Sequence, residues 1–329
     1  MSRNRRLLIS VTIAVALLVF SACSPLVNHP GKQVQEPKIE KEHFVAVDGS
    51  LLPLRSWLPR GIPVKAAIIA LHGFNDYSNF FASPGNYLSR HGIACYAYDQ
   101  RGFGGAPGRG LWSGTEAYTN DLSSFVKVIR KRHPGVPLYV LGESMGGAVT
   151  IVAMTGSDPL HVDGVILVAP AVWGRETMPW YQRGLLAVAS HTLPWMELTG
   201  KGMHITPSDN IEMLRSLRRD PHVIKATRID ALYGLSDLMD QALARAEELQ
   251  LPTLVQYGKN DQIIPQKPIF LMLEKMPKVT RKAFYEHGYH MLLRDLQGGK
   301  PLADIAVWIA DHNNPLPYGT DNWKWTGEL

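Results

Sequence analysis

Pro137-Leu-Tyr-Val-Leu141 runs directly into Gly142-Glu-Ser-Met-Gly146, and that into Gly147-Ala-Val-Thr-Ile-Val-Ala-Met154. An apolar run, a pentapeptide centred on serine and a second apolar run read as strand, sharp turn and helix. The outer glycines let the backbone bend tightly and approach its neighbours. The bend lifts the Ser144 hydroxyl clear of the strand, where a base can reach it. A bare G-x-S-x-G arises by chance in roughly one chain in ten of this length. The flanking elements therefore carry the reading.

Outward from this stretch, strands and helices alternate. Upstream, Ala66 to Leu71 and Ile93 to Tyr98 read as strands. Phe80 to His91 reads as a helix disturbed near its start by Pro84-Gly85, and Thr115 to Arg132 as a second helix. Downstream come strands at Val165 to Ala169, Thr253 to Tyr257 and Lys282 to Tyr285, with helices near Pro268 to Lys275 and Ala303 to His312. Continuous apolar strands that alternate with helices predict an α/β fold, with a mostly parallel sheet covered on both faces. Ahead of them, Phe44 to Val47 and Leu51 to Leu58 flank Asp48-Gly49, a hairpin signal.

The alternation breaks between about 171 and 248. Met178-Pro-Trp-Tyr181, Leu185 to Ala189 and His191-Thr-Leu-Pro-Trp195 lie there, with no strong strand pattern. The segment is expected to be a helical cap above the sheet edge. Its aromatics and methionines either line an acyl-chain pocket or pack the cap onto the body. Residues 313–329, with Trp323 and Trp325, form a tail that is expected to run along the surface.

A hydrophobic content of 45% with 19% charged residues suits a folded globular chain. The net charge of +5 falls to +2 once Arg3, Arg5 and Arg6 are set aside as part of an N-terminal sorting segment. No basic stripe with interleaved aromatics stands out, so nucleic-acid binding is not expected. The sorting segment is a basic start, an apolar run from Leu7 to Phe20, and Ser21-Ala22-Cys23. The run is short of the roughly 20 residues that a membrane-spanning helix needs, and it fits a secretory signal. Residues 1–23 resemble a bacterial lipoprotein signal. That resemblance implies lipidation of Cys23 and a cell-envelope protein, anchored to the outer membrane because Ser24 is not aspartate. The alternative is an uncleaved N-terminal membrane anchor. Residues 24–42, rich in Pro, Lys, Glu and Gln, read as a tether. Cys95, the other cysteine, sits in an apolar strand and reads as a buried small hydrophobe.

A serine hydroxyl needs a base within hydrogen-bond reach, and the base needs a carboxylate to fix its tautomer. After an elbow of this type the order is Ser, Asp or Glu, then His. Asp261 in Tyr257-Gly-Lys-Asn-Asp-Gln-Ile-Ile-Pro265 and His290 in Glu286-His-Gly-Tyr-His-Met291 both follow predicted strands. Ligand-facing residues belong at such carboxyl ends. His287 competes for the base; Asp237 and Asp240 compete for the acid but do not follow strands. His72 precedes the serine and reads as structural. The expected oxyanion donors are the backbone N–H groups of Met145 and of Phe74 in His72-Gly73-Phe74-Asn75. No metal or organic cofactor is expected.

His72-Gly73, Asp99-Gln-Arg-Gly-Phe-Gly104, Gly142-Glu-Ser-Met-Gly-Gly147, Gly258-Lys-Asn-Asp261 and Gly288-Tyr-His290 together resemble the monoglyceride lipase and lysophospholipase branch of the α/β-hydrolase superfamily. That branch shares its domain type with certain serine aminopeptidases. The resemblance spans roughly 43–312. It implies an α/β-hydrolase fold with a helical cap, Ser144 as nucleophile, Asp261 as orienting acid and His290 as base. It also implies an acyl ester of monoacylglycerol or lysophospholipid type as substrate. Glu143 departs from the histidine that monoglyceride lipases often carry before the serine. Gly104-Gly-Ala-Pro-Gly-Arg-Gly110 lacks the serine or histidine common after the arginine-glycine motif. Two other functions fit less of the pattern: an aminopeptidase or amidase of the same fold, and a non-catalytic lipid-binding lipoprotein.

Overall fold

Ala66–Leu71 is apolar at every position and buried at every position, the mark of an interior strand with cover on both faces. In the computed structural model, which describes residues 24–158, 160–202 and 205–322, four more strands are buried at every position. The described strands are β1 (Lys38–Glu40), β2 (His43–Val45), β3 (Leu51–Trp57), β4 (Ala66–Leu71), β5 (Ile93–Tyr98), β6 (Leu138–Glu143), β7 (Gly164–Val168), β8 (Glu197–Thr199), β9 (Ala226–Arg228), β10 (Thr253–Gly258) and β11 (Thr280–Tyr285). The α-helices are α1 (Ala82–Ser89), α2 (Thr115–Arg132), α3 (Met145–Met154), α4 (Trp180–Thr192), α5 (Ile211–Arg219), α6 (Ile229–Ala244), α7 (Gln266–Lys275) and α8 (Gly299–Ala310).

One sheet carries the order β1-β2-β3-β5-β4-β6-β7-β10-β11. All pairs from β5 to β11 are parallel, and β1 to β3 form an antiparallel ribbon that joins at β5. The chain goes from β4 out to β5, then returns past β4 to β6. Strand order reverses there, which opens a crevice at the carboxyl ends of β4 and β6. The register brings those ends together, with Leu71 opposite Gly142. On one face the core packs α2, α3, α6 and α7 against the sheet. On the other, Leu88 of α1 and Ile305 and Trp308 of α8 cover Ile68, Leu141 and Ile166. This is the α/β-hydrolase architecture.

Three features differ from the sequence reading. Within the supposed tether, Lys38–Glu40 pairs with β2, and Asn28 N–H donates to Trp112 C=O at 2.7 Å. A polar three-residue edge strand has too short an alternation to be seen. The segment 171–248 contains the antiparallel pair β8–β9, invisible for the same reason. Its last helix, α6, is not an outer cap element but packs on α2 and α3, with Gly234 closed against Trp112. The disturbed start of the helix expected over Phe80 to His91 resolves into a 3₁₀ turn (Ser78–Phe81), after which α1 holds Pro84 in its first turn. The tail packs as far as it is described: Phe284 N–H donates to Thr320 C=O at 3.0 Å along β11, and Leu316 is buried. Residues 1–23, including Cys23, and Trp323 and Trp325 lie outside the described residues.

Candidate active site

Ser144 stands between β6 and α3 with φ 54° and ψ −116°. A non-glycine residue there stores about 1–3 kcal/mol of backbone strain. The surrounding backbone enforces it: Ser144 N–H donates to Val168 C=O at 3.0 Å, and Ser144 C=O accepts from Gly147 and Ala171 N–H, both at 2.9 Å. The glycines are required by contact. A Cβ at Gly142 would lie 2.3 Å from Gly146 O, and one at Gly146 would lie 2.3 Å from Leu71 O. α3 starts at Met145, whose N–H has no carbonyl one turn back to bond. That N–H and the positive end of α3 face the region beside Ser144.

β10 and β11 lie next to each other in the sheet, beyond β7, so their carboxyl ends share an edge with that of β6. His290 follows β11 and is buried, with Nδ1 2.8 Å from Asp261 Oδ2. The other Asp261 oxygen, Oδ1, accepts from Ile263 N–H at 2.8 Å and Ile264 N–H at 2.9 Å. Both carboxylate oxygens are thus committed, which fixes the plane of the acid. Burial works against charging the His290 ring. The Asp261 charge and hydrogen bond, with help from Glu143, outweigh burial and the opposing Arg294, and hold its pKa above 6.5.

The loop after β4 meets the serine directly, since a Cβ built at Gly73 would lie 3.2 Å from Ser144 Cβ. Phe74 follows, its ring edge-on to Phe103 at 5.4 Å and tilted to Trp112 at 6.4 Å. His72 is fully buried. Its Nε2 accepts from Gln100 N–H at 2.9 Å, so Nδ1 carries the proton and donates to Gly73 C=O at 2.8 Å. Burial lowers its pKa, and both nitrogens are spent on backbone. The motif at 99–104 is likewise structural. Asp99 accepts from Ser78 and Gly105 N–H, and Arg101 forks between Asp48 and Asp121.

Glu143 brings a buried charge next to Ser144. It is met by Arg294, which also reaches Asp76. Neither Arg294 nor Asp76 was singled out in the sequence. Only the acidic residue at 143 gave a signal, because a buried carboxylate demands a cation; sequence does not say which cation. A strap over 206–210 ties the cap to the loops that carry Asp261 and His290. Met291 N–H donates to Pro207 C=O at 2.9 Å, Ser208 Oγ to Asp295 Oδ1 at 2.6 Å, and Thr206 N–H to Gln262 Oε1 at 2.8 Å.

The competitors separate cleanly. His287 is exposed, and Asp237 and Asp240 both engage Arg175. Cys95 is buried in β5, and burial pushes its thiol up. Of the aromatics and methionines in the segment, Trp173 and Met239 pack onto the body, whereas the apolar residues on α4 and just after it do not. Trp180 is 78% exposed and Leu185 70%, with Tyr181, Val188, Trp195 and Met196 also open to solvent, and Ser190 is the one residue α4 buries.

Comparison with known proteins bears on the family and the fold. The chain is 29% identical over 296 residues to the monoglyceride lipase of Rattus norvegicus, covering 87% of this chain and 96% of that one. It is 27% identical over 294 residues to the monoacylglycerol lipase of Mycolicibacterium smegmatis, covering 82% and 97%. The fold matches that of a soluble variant of monoglyceride lipase from Saccharomyces cerevisiae, solved with a substrate analog. The TM-score is 0.69 at 21% identity, over 88% of this chain and all of the other. The family model described as "Serine aminopeptidase, S33" matches residues 62–297, from ahead of β4 to just past the Arg294 turn. With well over half its length inside that model, the chain belongs to the serine aminopeptidase S33 family of α/β-hydrolases.

Proposed function

We propose that the protein is a serine hydrolase that cleaves acyl esters of the monoacylglycerol type, with Ser144 as nucleophile, His290 as base and Asp261 as orienting acid. One observation carries the reading: a buried imidazole bonded through Nδ1 to Asp261 sits on the same sheet edge as a serine held at φ 54°. With Nδ1–H donating to Asp261, Nε2 keeps the lone pair. It takes the Ser144 proton as Oγ attacks the ester carbonyl. The oxyanion is held by the N–H groups of Met145 and Phe74. Nε2–H then protonates the leaving glycerol oxygen, and an acyl-serine remains. Water, deprotonated by Nε2, attacks the acyl carbon; the fatty acid leaves and Ser144 regains its proton.

Lipid as substrate is supported by the relatives' activity and by the cap. Tyr181, Leu185 and Val188 fall at i, i+4 and i+7 on α4, an exposed apolar face beside Trp180. Such a face suits contact with a lipid aggregate. Acylation at Cys23 would hold the enzyme at that surface, in the bacterial cell envelope. The family description favours a second reading, cleavage of an amide at a free N-terminus, which needs a carboxylate for the substrate ammonium. Of four carboxylates in the cap, Asp237 and Asp240 are engaged by Arg175, Glu212 pairs with Arg215, and Glu197 lies in the exposed strand β8. The ester reading is therefore preferred.

The test compares turnover of monoacylglycerols of graded chain length with lysophospholipids and aminoacyl-arylamides, alongside fluorophosphonate labelling. Monoacylglycerol hydrolysis with label on Ser144 is expected. Turnover confined to arylamides overturns the substrate, and folded protein that takes no label overturns the mechanism.

A further inference from the structure

Glu143 precedes the nucleophile on a strand that is buried along its whole length. Arg294 Nη2 donates to Glu143 Oε1 at 2.8 Å, and Arg294 Nη1 lies 2.8 Å from Asp76 Oδ2. The side chains of Arg294, Asp76 and Glu143 are 8%, 9% and 3% exposed. Each belongs to a different arm of the site. Asp76 N–H donates to Gly73 C=O at 3.2 Å, closing the turn that contains Phe74. Glu143 is bonded through the chain to Ser144. Arg294 lies four residues past His290, its N–H on Met291 C=O at 2.8 Å. Its own carbonyl accepts from Asn210 of the cap strap at 3.0 Å.

We infer that Arg294 is the positioning residue of this site, a clamp whose one guanidinium sets the oxyanion loop, the serine elbow and the histidine loop at their working separation. The inference rests on the triad reading above. A guanidinium suits the task because its planar fork presents donors in two fixed directions at once. A lysine ammonium carries the same charge from a single flexible point. No reacting atom touches Arg294 in the acyl transfer described, so its effect runs through the geometry of the loops that it joins.

Two variants of the full-length protein test the clamp. Arg294→Lys keeps the charge and loses the fork. The triple variant Asp76→Asn, Glu143→Gln, Arg294→Met removes the clamp without leaving buried charge. A misplacement of about 1 Å between reacting groups lowers kcat about 100-fold. Both variants are expected to show a loss of that order, with KM little changed and fluorophosphonate acylation of Ser144 slowed in step. Either variant, folded and with kcat within about three-fold of the parent, overturns the clamp. If the triple variant does not fold, Arg294→Lys decides alone. Ser144→Ala runs alongside: hydrolysis that survives it removes the triad reading, whereas its loss together with full kcat in Arg294→Lys removes only the clamp.

Discussion

His290 and Asp261 meet through a single 2.8 Å contact, Nδ1 to Oδ2, and the acid's second oxygen is held by two backbone N–H groups. The carboxylate cannot rotate without breaking one set or the other. It therefore dictates which imidazole nitrogen carries the proton. Asp261→Asn presents an amide that can donate to Nδ1 and favour the wrong tautomer. The variant is expected to fold and to lose on the order of 10⁴-fold in kcat on a monoacylglycerol, checked by steady-state turnover and circular dichroism.

In the proposed mechanism the base works only when neutral, so activity should rise with pH through the His290 pKa. That pKa is raised, so the acid limb of kcat/KM is expected to have its midpoint above pH 6.5. Glu143 is among the groups that raise it. Glu143→Gln should move the limb to lower pH, read from kcat/KM between pH 5 and pH 9. The same shift has a stability consequence. A ring whose pKa is higher folded than unfolded adds stability below the unfolded value, and this is lost as pH rises through the folded one.

Burial pushes the Asp295 carboxyl up to about 6, against hydrogen bonds from Ser208 and Tyr289 N–H. A raised carboxyl opposes folding while it is ionised, and the opposition fades as pH falls from about 6 toward the ordinary aspartate value of 3.8. Asp295→Asn is neutral throughout. Its Tm relative to the parent should be more favourable at pH 8 than at pH 4, measured by thermal unfolding at both.

Gly146→Ala forces a methyl to within 2.3 Å of the Leu71 carbonyl oxygen. The obstacle is backbone of the central strand β4 and cannot swing aside. Overpacking of this kind costs about 1–3 kcal/mol or more. A fall in denaturation midpoint should accompany loss of fluorophosphonate labelling, since the elbow itself must shift.

The outward face of α4 predicts a substrate-dependent effect. Leu185→Glu with Val188→Glu places charge where an apolar surface is exposed. The ratio of turnover on micellar long-chain ester to turnover on a dissolved short-chain ester should fall, while Tm stays close to the parent value because neither side chain is buried.

Ser144, Asp261 and His290 are legible as candidates in the sequence because each follows a strand, β6 and β10 buried along their whole length and the edge strand β11 at half its positions, and strand ends mark the sheet edge. Residue type and chain order then leave few choices. Arg294 is not legible. Its meaning comes from Asp76 and Glu143, remote in the chain, and nothing in Met291-Leu-Leu-Arg294 distinguishes a buried cation from a surface one. The three-residue strands β1, β8 and β9 were hidden because their pairing depends on partners rather than on their own pattern. The outward orientation of α4 was hidden too: a helix with a broad apolar stripe reads the same whether that stripe faces a core or open solvent.

Helix α4 spans 13 residues and surrenders only Ser190 to the interior. Its outward positions are consequently free to drift without disturbing the machinery beneath. Transplanting that single helix between relatives offers an engineering route to new substrate presentation, with the reactive centre left unaltered.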